Sequence, residues 1–198
     1  MSFIKLNIIL LFTLLLCCES TFAKKIIYPI EIISNSSDFI VSGNIKSVTD
    51  TSYTFKVTNI IKGNCDSILT IQQFENWTCD SRFAKPKIGE ELLLFLENNN
   101  GLLEIINGST GERPINNNQV MLFESTIPYD YNSPIYTIDI AEFSIGIKFF
   151  LECYSFKYKE NYLKNELYKK CTESEIKAKT QQNTFFDWLN KKIRNKYY

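Results

Sequence analysis

The residues equipped for chemistry in this chain are carboxylates, cysteines, lysines and three arginines; none of its 198 residues is a histidine. Without an imidazole there is no Ser-His-Asp or Cys-His nucleophile, no HExxH zinc site and no proton shuttle working near neutral pH. Carboxylates alone can hydrolyse a glycosidic bond, which needs two of them at a set separation. Asp80, Glu90, Glu91 and Glu104 are the candidates, and each also reads as a solvated group at a strand end. Seven glycines without a Gly-rich loop argue against a phosphate cradle. The reading is therefore non-catalytic, with neither metal nor cofactor expected.

Six cysteines remain as the other reactive set, and the N-terminus decides what they do. Lys5 is followed by an apolar stretch, Leu6–Leu16, broken only by Asn7 and Thr13. A positive start followed by a short apolar run is an export signal, too short to span a bilayer comfortably. Two processing sites compete. Thr21-Phe22-Ala23 offers small residues at −3 and −1, giving a mature chain from Lys24, whereas Cys18 after Leu15-Leu16-Cys17 is a candidate for lipidation. Export places the remaining Cys65, Cys79, Cys153 and Cys171 in an oxidising compartment, where four cysteines allow three disulfide connectivities. The local pairing Cys65–Cys79 and Cys153–Cys171 keeps each bridge within one structural unit. Spacings of this kind, without CxxC or histidine, do not suit a metal. The expected location is periplasmic, secreted or lipid-anchored at the envelope.

Among binding candidates, Trp77 heads a loop that also carries Arg82, Phe83 and Pro86. Arg113, between Gly111-Glu112 and Pro114, suits either recognition of an anion or pairing with a barrel carboxylate. The basic run Lys191, Lys192, Arg194 and Lys196 falls at the end of the last helix, where cations complement the helix dipole. A docking patch for an acidic partner is the alternative there. Formal net charge is zero, which argues against a nucleic-acid partner.

These residues must be positioned by two kinds of element. Nine basic against fifteen acidic residues over Lys24–Ile147, and twelve against six over Lys148–Tyr198, divide the chain by charge, and the periodicity divides it too. A short helix is expected over Pro29–Ser36. Strands are expected over Asp38–Val48 (with a bulge at Gly43), Ser52–Ile61, Ser67–Phe74, Leu92–Leu96 and Leu102–Ile106. The run Leu92-Leu93-Leu94-Phe95-Leu96 fits a strand covered on both faces. Asn100-Gly101 fits a hairpin turn with two positive φ angles. In the rear part, Asp139 with Glu142 starts a helix, a polar helix is expected around Asn161–Lys170, and Thr172-x-x-Glu175 and Thr184-x-x-Asp187 are capping signatures for two more. The expected fold is α+β: a five-stranded OB-type antiparallel barrel with flanking helices and a C-terminal helical extension. Residues 1–23 form the signal peptide, 24–127 the barrel and 128–198 the helical extension, with the boundary in the Pro128–Pro134 connection.

The phrases Ser37-Asp38-Phe39-Ile40-Val41-Ser42-Gly43, Val57-Thr58-Asn59-Ile60-Ile61-Lys62-Gly63, Cys79, Gly89-Glu90-Glu91-Leu92-Leu93-Leu94-Phe95 and Gly111-Glu112-Arg113-Pro114-Ile115 occur in one order. In this order the chain resembles bacterial exported domains similar to tissue inhibitors of metalloproteinases and netrin modules. The resemblance covers about residues 37–115 and implies an OB-type barrel flanked by helices. The zinc-chelating N-terminal Cys-x-Cys of the animal inhibitors has no counterpart between Lys24 and Asp38. The functional expectation is an exported OB-fold protein that binds a protein or envelope component, touching the membrane only through a lipid at Cys18. An extracellular protease inhibitor of different mechanism and a carboxylate hydrolase are the alternatives.

Overall fold

A computed structural model describes residues 25, 27–76, 80–82, 84–122, 136–157 and 166–197. Helix α1 (Ile30–Ser36) precedes strands β1 (Phe39–Val48), β2 (Ser52–Lys62), β3 (Ile68–Gln72), β4 (Glu91–Asn99) and β5 (Leu102–Ile105). These five close into a barrel in the order β1-β2-β3-β5-β4, with β4 returning to β1. That is the strand order of an OB-type barrel, and the fold is α+β with flanking helices. One detail departs from expectation: β3 and β5 run parallel. A closed ring with an odd number of strands cannot alternate direction all the way round, so one parallel contact is unavoidable.

Local chemistry explains the barrel's corners. The β1–β2 register shifts between Ser42 and Gly43, and a Cβ on Gly43 would lie 2.0 Å from the Lys56 carbonyl oxygen. Only glycine permits that approach, which is the bulge expected from the sequence. At the β4–β5 hairpin Asn100 and Gly101 both take positive φ, 54° and 92°.

One edge of β4 is shared. Its second half pairs with β5, and its first half pairs with β6 (Glu112–Asn116). From β6 the sheet continues through β7 (Gln119–Leu122) to β8 (Tyr136–Asp139), so the ladder extends past residue 127 into the rear part of the chain. The expected boundary at Pro128–Pro134 lies outside the described residues.

Helix α2 (Ile140–Cys153) is capped by Asp139, whose carboxylate accepts from the N–H of Ala141 and Glu142. Strands β9 (Tyr154–Lys157) and β10 (Glu166–Lys169) then form a hairpin. Here the expected helix over Asn161–Lys170 gives way to a strand across its described part. The ladder to β9 and the Cys153–Cys171 bridge at its base hold this segment extended. Helix α3 (Glu173–Gln182) opens with the full capping box of Thr172 and Glu175. Helix α4 (Thr184–Tyr197) starts one residue earlier in its capping than Thr184 predicts: Asn183 Oδ1 accepts from Phe186 N–H at 2.7 Å.

Two apolar clusters share β4 as their common wall. Leu92, Leu94 and Leu96 point into the barrel with Val41, Ile45, Tyr53, Phe55, Leu69, Ile71 and Ile105. Leu93 and Phe95 point outward into a layer built from α1, α2, α4 and β9, including Ile33, Phe143, Phe150, Phe186 and Ile193. The continuous apolar run thus serves two cores, one per face.

Candidate functional site

Of the polar residues singled out in the sequence, Arg82 lies at the barrel end that holds the β1–β2 turn, beside Gln73 and Tyr53. Tyr53, at the start of β2, is buried and donates its hydroxyl to Glu112 Oε2 at 3.0 Å. Glu112 opens β6, and Arg82 from the β3–β4 loop clamps its carboxylate from both nitrogens: Nε to Oε1 at 2.5 Å and Nη2 to Oε2 at 2.8 Å. The third arm of the fork, Nη1, donates to Gln73 Oε1 at 2.8 Å. Its guanidinium also lies 4.6 Å from the centre of the Phe74 ring. This planar bidentate geometry is one that a lysine could not reproduce. Burial pushes the Glu112 carboxyl above its ordinary range, against the opposing pull of Arg82, and pushes Tyr53 well above the ordinary phenol value.

A second clasp fastens the same loop. Lys25 Nζ donates to Asp80 Oδ1 at 2.6 Å and to Ser109 Oγ at 3.0 Å, and Asp80 Oδ1 also accepts from the Ser109 N–H. Gly108 sits at φ 53° beside this carboxylate, where a Cβ would lie 1.9 Å from Asp80 Oδ2. Asn107 Oδ1 takes the Tyr28 N–H, so the N-terminal segment, the β3–β4 loop and the turn after β5 are tied together. Desolvation lowers Lys25 from its ordinary value.

Arg82, expected as a contact residue, is instead the loop's anchor, with its side chain 5% exposed. Arg113 is fully buried, and burial pushes its guanidinium below the ordinary range. Neither guanidinium faces solvent. Trp77 and Phe83 lie outside the described residues. So do Cys79, Cys18 and the processing site after Ala23.

The carboxylate candidates are dispersed. Asp80 is committed to Lys25; Glu91 begins β4 opposite Asn44; Glu104 stands on β5 opposite Glu97. Burial, and then repulsion from Glu104 and Asp38, raises Glu97. Sequence reasoning misses that cross-strand pair, since only the β4–β5 register sets two acids face to face. Among the described residues no group of three or more Cys, Asp or Glu is placed to hold a metal.

Of the two expected bridges, Cys153–Cys171 is formed. Cys65 stands as a free, half-buried thiol after β2, so the Cys65–Cys79 pairing is not seen. Burial and Asp66 raise Cys65, keeping it a thiol and a poor nucleophile. The basic run on α4 is mostly consumed internally. Lys191 pairs with Asp187, Lys192 with the fully buried Glu31, and Arg194 with Glu173. Only the Lys191–Asp187 pair lies within the helix; Lys192 and Arg194 reach α1 and α3 and tie those elements to it. Among the described residues no helix is long and apolar enough to cross a membrane.

Comparison with protein-family models, with curated proteins and with solved structures returned no match.

Proposed function

We propose that this protein is an exported, non-catalytic OB-type binding module that takes a protein or envelope component at the β1–β2 end of its barrel. The observation that carries the reading is the double fastening of the β3–β4 loop, by Arg82–Glu112 on one side and Asp80–Lys25 on the other. Loops fixed on a rigid scaffold are the usual place for recognition, and such fastening gives a loop one shape to present. Both pairs are largely shielded from solvent, so their function is positional. The Cys153–Cys171 bridge is compatible with an oxidising compartment, as the apolar N-terminal segment suggests. The sequence resemblance to inhibitor and netrin-like domains supports the same barrel and the same non-catalytic role.

The test is photo-crosslinking in the native cells from a probe at Ala84 or Glu75, both exposed in this loop. The reading expects one defined adduct from these positions and none from Leu102 at the opposite end. Adducts equally frequent from both ends would refute it. A protease inhibitor would instead slow secreted proteases at stoichiometric amounts. A hydrolase would show turnover abolished by loss of one carboxylate.

A further inference from the structure

We infer that Asn100, at the tip of the β4–β5 hairpin, is a site of spontaneous covalent modification. Its side-chain amide is lost through a succinimide and replaced by a carboxylate, whereas Asn107, in the same dipeptide, is protected by the fold.

The chain holds two Asn-Gly dipeptides, Asn100-Gly101 and Asn107-Gly108. Glycine in the second position matters because no Cβ hinders the approach of its backbone nitrogen to the asparagine Cγ. Both asparagines sit in left-handed backbone, φ 54° and 55°, so local conformation does not separate them. Their surroundings do. Asn100 and Gly101 are exposed, and a Cβ on Gly101 would meet nothing within 4 Å. The Gly101 N–H donates to Asn98 Oδ1 and Asn100 Nδ2 to Asn99 Oδ1, both exposed bonds that water can replace. Asn107 is half-buried, and its Oδ1 accepts from the Tyr28 N–H while its carbonyl accepts from the Thr110 N–H. Gly108 is buried, and a Cβ there would lie 1.9 Å from Asp80 Oδ2. Ring closure at Asn107 would have to swing the peptide bond against a carboxylate that Lys25 holds in place. The same negative charge opposes loss of the Gly108 amide proton.

In the reaction the Gly101 amide nitrogen gives its proton to a solvent base and bonds to Asn100 Cγ. The Cγ–Nδ2 bond breaks, and the departing nitrogen takes a proton from water and leaves as ammonia. Water then opens the ring. Attack at Cγ gives an aspartate in the ordinary chain, and attack at the main-chain carbonyl gives isoaspartate, with the chain running through Cβ and Cγ. Nothing is oxidised or reduced. Either product places a carboxylate on a hairpin that already sets Glu97 opposite Glu104. Isoaspartate also lengthens the main chain at the turn, which loosens the Asn99–Leu102 closure.

The test is incubation of the purified protein in mildly alkaline buffer, followed by peptide mapping by mass spectrometry and an enzymatic assay for isoaspartate. Asn100 should convert about tenfold faster than Asn107. In denaturant the two rates should converge, because the fold and not the dipeptide sets the difference. Asp80→Ala, which removes the carboxylate at Gly108, should speed Asn107 and leave Asn100 unchanged. Lys25→Met serves as a second way to release that carboxylate, and circular dichroism confirms that each variant folds. Equal rates in the folded protein, faster conversion at Asn107, or a difference that persists in denaturant would overturn the inference.

Discussion

The barrel and the helical layer share β4 as a wall, but different forces close them. The barrel core draws on a continuous stretch, Val41 to Ile105, and its strands are joined by backbone ladders all round. The layer gathers residues from Ile30 to Ile193, the two ends of the described chain, and is secured by discrete fasteners. These are the Cys153–Cys171 bridge, the Glu31–Lys192 pair, and Lys62, whose ammonium donates to the carbonyls of Ser34, Asn35 and Ser37 at the end of α1. Strands near in sequence close by repetition of one interaction, whereas segments far apart depend on a few specific ones. The barrel should therefore fail as a whole, and the layer piece by piece.

Deleting Phe55 inside the barrel tests the first half of that contrast. Phe55→Ala should cost about 4 kcal/mol and lower the midpoint of one cooperative denaturant transition seen by every probe placed in the barrel. Separate transitions for different strands of the barrel would break the comparison. In the layer, Lys192→Met takes the ammonium away from the buried Glu31 carboxylate, a loss of about 3 kcal/mol. The double variant with Glu31→Met should recover most of it in a denaturation cycle. Reducing Cys153–Cys171 should cost about 2 to 3 kcal/mol for its 18-residue separation. Amide exchange should then quicken in β9 and β10 while β1 and β4 stay protected.

The smallest effect concerns the barrel end. Burial raises the folded Glu112 carboxyl above its unfolded value, so the native state binds more protons between the two. Stability should therefore fall as pH climbs from about 4.3 through the folded value. In Glu112→Gln that fall should be absent from the stability–pH profile.

The barrel is legible in the sequence because its strands carry short-range signals. Alternation in Tyr53-Thr54-Phe55, the unbroken Leu92–Leu96 run and Asn100-Gly101 each act over a few residues. Asp139 and the Thr172–Glu175 box are legible for the same reason. The β9–β10 hairpin is not, since Leu163 and Leu167 recur at helical spacing and only pairing with β9 makes the second segment extended. Asn183 escapes notice because Thr184 beside it is an equally good cap by type; the bond from Asn183 Nδ2 to the Glu142 carbonyl favours the former. The Arg82–Glu112 and Asp80–Lys25 clasps join residues 30 and 55 apart, distances at which sequence carries no periodic trace. Arg113 stands out by its setting between glycine and proline, but its burial depends on how β6 packs against β4.

The clasp between Glu31 and Lys192 also has a temporal meaning. A polypeptide synthesised N-terminus first delivers the acid long before the base that pairs with it. Until the final helix is made, α1 has its buried isoleucines but lacks the lysine that faces Glu31. Completion of the outer layer is thus timed by arrival of the last segment, 161 residues after the acid.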